Sequence, residues 1–264
     1  MTDALAGFTR DTFTHDGTTK EVFRAGSGPA VIVITEIPGI TPSVIAFAQR
    51  VIDLGCSAVL PSVFGDPGRE PSGGYIAKSM SKGCVSKEFR AFAKGVSAPL
   101  TQWCIALARN EHERCGGPGV GVVGMCFTGN FALAMAVDPV VLAPVLSQPS
   151  LPLPVSKAHK ADVHASPAEL AAVRARCEED EEMCVLGLRF TGDIAVPAAR
   201  FASLRRELGE SFVGVEIDSS KGNVHHIGSK AHSVLTEDLV DEPGHPTHDA
   251  LNQVLELFRA RLLA

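Results

Sequence analysis

The sequence predicts an α/β fold in which a mainly parallel sheet carries helices on both faces. Three observations predict it. Short, continuously apolar runs such as "AVIVITE" (30–36), "VGVVG" (120–124) and "VVLAPVLS" (140–147) alternate with longer segments of helical spacing. Strands that are apolar on both faces belong in buried parallel sheets, whereas half-solvated antiparallel strands alternate polar with apolar. Finally, 264 residues that are 45% hydrophobic and 20% charged suffice for a large core.

The elements follow in order. "DTFTHDGTTKEVFRA" has strand character on either side of Asp16-Gly17, a hairpin signal. The strand "AVIVITE" leads into "TPSVIAFAQRVIDLG", which has helical spacing and a closing Gly55. "SAVLPSVF" is the next strand, and residues 64–95 read as loop-rich, with "GDPGREPSGG" as the clearest break. "SAPLTQWCIALARNEHER" is helical, "VGVVG" a strand, "GNFALAMAV" a helix and "VVLAPVLS" a strand. "QPSLPLPVSKAHKADVHAS" is a Pro-rich excursion before the charged helix "PAELAAVRARCEEDEE". "CVLGLRF", a helix around 197–208, "SFVGVEID" and the final helix "THDALNQVLELFRARLL" complete the series. No second alternating block or fixed-period repeat stands out, so residues 1–264 are expected to form a single domain. The stretch 148–183 is longer than a plain connection and is expected to be a lid or insertion.

Composition excludes several classes. The formal charge of −6 is mild and scattered, which selects neither nucleic acid nor an anionic membrane as partner. No apolar stretch approaches the roughly 18 residues of a spanning helix. The start, "MTDALAGFTRD", lacks the basic flank and long apolar run of a signal peptide. Seven cysteines without a C-x-x-C pair point to reduced thiols and a cytoplasmic location rather than a disulfide framework.

The stretch "VGVVGMCFTGNFALAMA" (120–136) carries the first chemical signal. A sharp turn from a buried strand into a helix crowds the backbone, and Gly124 and Gly129 relieve it. The residue at the apex, Cys126, is pushed outward at the carboxyl end of the sheet, where a helix start favours the thiolate. This is the nucleophile elbow, with cysteine in place of serine; taken alone, it is matched equally by a small buried cysteine in an ordinary turn. A nucleophile needs a base, and the base an orienting acid. "LRFTGDIAVP" places Asp193 after an apolar strand, and "SKAHSVLTED" places His232 in a loop before the last helix, so Cys126, Asp193 and His232 fall in α/β-hydrolase order. Glu36 ends an otherwise apolar strand and faces the crevice where open α/β sheets bind ligands. Burial there would suit it to exchange a proton.

With these residues in view, the chain resembles the dienelactone hydrolases. The likeness runs through the hairpin, "VIVITEIPGI", "GMCFTG", "FTGDIAVP" and "AHSVLTED". The resemblance implies an α/β-hydrolase fold and cleavage of a lactone or ester by a Cys-His-Asp triad, through a thioester, without metal or organic cofactor. It implies Cys126 as nucleophile, His232 as base, Asp193 as orienter, and Glu36 as the group that holds the resting thiol proton. Ile37 and Phe127 would supply the oxyanion-hole backbone N–H groups. Two positions depart from the family pattern. Thr128 stands where glycine is frequent, and Thr236 stands where members carry a carboxylate-binding arginine. Arg90, in "VSKEFRAF", is the candidate replacement, although a surface arginine fits the same spacing.

Two readings compete beside a carboxylesterase for another small acyl substrate. His225, His226, His232, His245 and His248 cluster near the end of the chain, but their spacing lacks the acid or cysteine partners of a zinc site, and no metal is expected. A non-catalytic α/β-hydrolase-fold binding protein would use Cys126 as a sensor thiol.

Overall fold

The computed structural model describes residues 4–264, so Met1–Asp3, where the reading of the chain's start begins, lie outside it. Eight strands form one sheet in the order β1-β2-β4-β3-β5-β6-β7-β8. Strands β1 (Thr9–His15) and β2 (Thr18–Gly26) form the expected hairpin. Asp16 (φ 46°) and Gly17 (φ 73°) both take positive φ at its turn, which matches the twist of paired strands. Strand β2 then pairs antiparallel with β4 (Ser57–Pro61), and β3 (Ala30–Ile34) through β8 run parallel.

The apolar strands serve two cores at once. In β3, Val31 and Val33 face one layer while Ala30, Ile32 and Ile34 face the other, because side chains alternate along a strand. One layer is α1 (Pro42–Asp53) and α8 (Pro246–Leu262), which bury Phe47, Val51, Val254 and Phe258 among others. Helix α1 starts where Thr41 accepts a hydrogen bond from the Val44 N–H (3.3 Å) with Pro42 in its first turn. The opposite layer is α3 (Leu100–Cys115), α4 (Phe131–Met135), α6 (Pro167–Glu179) and α7 (Ala198–Leu208). Strands β5 (Val120–Met125), β6 (Val141–Ser147), β7 (Val185–Phe190) and β8 (Phe212–Ile217) match the sequence reading, as does the α/β-hydrolase fold itself.

Two elements differ from that reading. The stretch 64–95 contains a 13-residue helix, α2 (Gly73–Val85), rather than loop alone. Its three glycines and uncapped start hide it, since local propensity is poor and tertiary contact decides. Gly83 explains the contact: a Cβ there would lie 3.3 Å from the Phe127 ring and 3.4 Å from Ile37. Second, the helix after the elbow is only the five-residue α4, preceded by a 3-10 turn at Cys126–Thr128. The dipole of so short a run does little to hold an anion at Cys126. Within 148–183, the part from 149 to 162, including a short helix α5 (Lys157–Ala161), is tied down by Arg200, whose buried guanidinium donates to the carbonyls of Pro149 and Pro152 (2.6 Å each), Asp162 (2.8 Å) and His159 (3.1 Å).

Candidate active site

At the end of β5 the chain turns with Cys126 at φ 55°, a left-handed conformation that a side chain adopts only under constraint. The glycines on either side are sterically required. A Cβ on Gly124 would meet the Thr128 carbonyl oxygen at 2.1 Å, and one on Gly129 would meet the Pro149 Cα at 2.4 Å. Thr128 gives its departure from glycine a physical reason. Its Oγ1 accepts from the Met125 N–H (2.9 Å) and lies 2.7 Å from the Ile34 carbonyl, fastening the elbow to the end of β3.

Asp193 and His232 arrive from separate loops. Asp193, just beyond β7, uses Oδ1 to accept the Ala195 N–H (2.9 Å), which leaves Oδ2 to meet His232 Nδ1 at 2.6 Å. The loop carrying His232 is shaped by Asp238, whose Oδ2 accepts the N–H groups of His232 (2.8 Å) and Ser233 (2.9 Å). With Nδ1 committed to Asp193, Nε2 remains for the cavity that His232 shares with the Cys126 thiol. Burial disfavours a charged imidazole here, but the charge of Cys126 and its hydrogen bond, with those of Asp193, hold His232 well above its ordinary pKa. His225 and His226 stay exposed on the preceding turn.

Glu36 follows β3 and is buried beneath the same site. Desolvation raises its pKa, against the hydrogen bonds that favour its ionised form. Its Oε2 accepts from Ser233 Oγ (2.6 Å) and Gln148 Nε2 (3.2 Å), and its Oε1 from Thr236 Oγ1. Glu36 is thus held by three neutral donors rather than by the thiol. Ser233 and Gln148 were not singled out from the sequence. Gln148 gave the same signal as Glu36, a polar residue closing an apolar strand, and Ser233 is visible only once the loop is folded. Among the described residues, the backbone N–H groups of Ile37 and Phe127 donate no hydrogen bond.

Glu36, Ile37, Cys126 and His232 line one cavity of about 210 Å³, with Pro38, Thr41, Pro71, Ile76, Met80, Ser233 and Glu237. Its wall is supplied by α2 and the loop before it, and no residue of 148–183 lines it. Arg90 is not brought to this cavity. It lies at an exposed turn with φ 48°, where its carbonyl meets His164 Nε2 at 3.1 Å. Among the described residues no group of three or more His, Cys, Asp and Glu could hold a metal ion, and no helix is long and apolar enough to cross a membrane. His225 and His245 face each other edge to face at 5.4 Å, and His248 Nδ1 meets Asp241 Oδ1 at 2.7 Å.

Comparison with known proteins adds three findings. The profile of the dienelactone hydrolase family matches residues 18–262. No curated protein sequence matches the chain. Among solved structures, a dienelactone hydrolase from Anabaena variabilis shares 14% identity at a TM-score of 0.60, over 97% of this chain and 98% of that one. A dienelactone hydrolase-like promiscuous phosphotriesterase from metagenomic libraries shares 16% identity at a TM-score of 0.59, with the same coverage. Identities this low speak to the fold alone.

Proposed function

The chain belongs to the dienelactone hydrolase family, hydrolases of the ester and lactone type, and from that premise we propose a cysteine-dependent carboxylic ester hydrolase working through a thioester. The observation that carries this reading is that His232, its Nδ1 held by Asp193 Oδ2 at 2.6 Å, lines one cavity with Cys126, which sits at a positive-φ elbow. Backbone N–H groups left free at Ile37 and Phe127 support an oxyanion hole.

The mechanism follows from these atoms. The Cys126 sulfur, as a thiolate beside protonated His232, attacks the carbonyl carbon, forming a C–S bond while the carbonyl electrons move onto oxygen. The backbone donors stabilise that oxyanion. Collapse of the intermediate breaks the C–O bond, and the leaving oxygen takes the proton from His232 Nε2. A lactone keeps this leaving group tethered to the acyl chain. His232, oriented by Asp193, then removes a proton from water, which attacks the thioester and releases the acid. Glu36 is assigned the exchange of the resting thiol proton. Its desolvated carboxyl beside the cysteine supports that role. We also assign the 148–183 segment to an anchored insertion within a single domain, on the strength of the Arg200 contacts. We also place the protein in the cytoplasm, a reading that its seven unpaired cysteines support.

The test is a variant panel assayed on 4-nitrophenyl esters with trapping of the acyl-enzyme by mass spectrometry. Cys126→Ala should lose both turnover and the acyl adduct, and His232→Ala should lose at least about 10³-fold, because removing one member disables the unit. His225→Ala and His226→Ala should stay within about tenfold. Glu36→Gln should fold and lose roughly 10²-fold, as for a lost proton-transfer group. A fully active Cys126→Ala protein would overturn the reading, and a large loss in His225→Ala or His226→Ala with active His232→Ala would reassign the base.

A further inference from the structure

We propose that this cleft selects small, uncharged acyl substrates and turns away those whose acyl part bears a carboxylate. The inference rests on the hydrolase reading above and adds the charge class of the substrate.

The observation is the cleft's inventory of charge. Among the described residues, no lysine or arginine lines it. Its ionisable groups are Cys126, His232, Glu36 and Glu237. The positive charge that His232 carries is already answered by Cys126 and by Asp193 behind it. The one cation acting on Glu36 among the described residues is the same His232, and the hydrogen bonds to Glu36 come from the neutral groups of Ser233, Thr236 and Gln148. Glu237 adds an exposed carboxylate at the rim, held by Thr41 Oγ1 at 3.1 Å.

The lysines of α2, the helix that supplies Ile76 and Met80 to the cleft, line a different cavity. Ile76 and Met80, four residues apart, present one apolar stripe to the cleft. Lys78 and Lys82 lie on another stripe and line a separate cavity of about 380 Å³, with Phe64 and Phe89. A substrate carboxylate beside Cys126 would therefore lose water, find no lysine or arginine, compete with Cys126 and Asp193 for His232 and meet one or two like charges. An uncharged acyl chain against Ile76 and Met80 incurs none of these costs. The cavity of about 210 Å³ is below the roughly 300 Å³ at which drug-sized ligand pockets begin, so the favoured acyl group is small.

The experiment compares two 4-nitrophenyl esters of similar size, the methyl-capped succinate and the free hemisuccinate, each corrected for background hydrolysis. We expect kcat/KM for the capped, neutral ester to exceed that for the anion by about 10²-fold or more, as for a buried unpaired charge. Ile76→Lys places a cation on the cleft wall and should narrow that ratio at least about tenfold. Ile76 is 37% exposed on a helix, so lysine fits there, and Glu237→Gln gives a second variant that should narrow the ratio. Cys126-dependent hydrolysis of the anion as fast as the neutral ester, or a ratio unmoved in both variants, overturns the inference and leaves the hydrolase standing. No Cys126-dependent turnover of either ester removes the hydrolase reading and the inference with it.

Discussion

His232 is the residue on which opposing forces meet. Burial favours the neutral ring, whereas Cys126 and Asp193 favour the imidazolium, and their pull wins. The sign of a test follows. Cys126→Ala removes the largest favourable influence and leaves desolvation in place, so the pKa of His232 should fall relative to wild type. An NMR titration of the ring protons measures this directly, and an unchanged midpoint would mean that the thiol and the ring are not coupled. The other buried thiols are poor competitors for an electrophile. Burial pushes Cys56 up to about 11 and Cys104 up to about 12, which leaves little thiolate at neutral pH.

At the scale of elements, the site depends on how segments are fastened together. Thr128 fixes the elbow to β3, and thereby sets the spacing between Cys126 and the Ile37 N–H that begins the next loop. Arg200 does the same for the 148–162 segment. It is wholly buried, and its hydrogen bonds go to backbone carbonyls rather than to a carboxylate. Burial pushes its pKa down to about 10, so it still carries its charge at neutral pH. Replacing it by leucine strands those carbonyls away from water, at a cost of about 1–3 kcal/mol for each that stays unsatisfied. Arg200→Leu should therefore lose at least about 2 kcal/mol of stability, with amide exchange accelerated through 148–162. Lysine cannot span the same carbonyls and should rescue little of the loss. Denaturant unfolding with exchange mass spectrometry reads both effects. Native exchange rates in 148–162 of the leucine variant would show that the segment is held by something else.

For the whole molecule, stability is coupled to pH through groups buried between its layers. His164 is 1% exposed, bonds the Arg90 carbonyl through Nε2 and has no partner on Nδ1. Burial pushes its pKa down to about 4. The unfolded chain takes up this proton near the ordinary pKa of about 6.5, the native protein only near 4, so acid favours unfolding across that window. Stability should fall as pH drops from about 6.5 to about 4, by up to about 3 kcal/mol from this residue, and this contribution levels off below. Glu36 acts with the opposite sign, because the native state protonates its raised carboxyl before the unfolded chain does. Comparing His164→Gln with wild type isolates the histidine. The variant should show a flatter dependence of melting temperature on pH across the window, and an identical slope would exclude His164 as its source.

The sequence by itself determined the parts of this protein whose signals are local. Continuous apolar runs such as 30–34 can be satisfied only between two layers, so the parallel core and its covering helices followed from pattern. The elbow was readable because Gly124 and Gly129 are demanded by contacts within the turn and its immediate surroundings. Cys126, Asp193, His232 and Glu36 each stand at the end of an apolar strand or in a loop beyond one, where chain order brings them to one edge. Tertiary structure alone decided what depends on neighbours distant in sequence. Helix α2 has little propensity of its own and exists through packing on Ile37 and Phe127, so its place as the cleft wall could not be read from 64–95. The same holds for the cradle of Glu36, which joins side chains up to 200 positions apart. It holds too for Arg90, whose spacing suited a substrate contact but which does not line the cleft. Periodicity records which side of an element is buried, whereas the identity of the group it is buried against is fixed only when the whole chain closes.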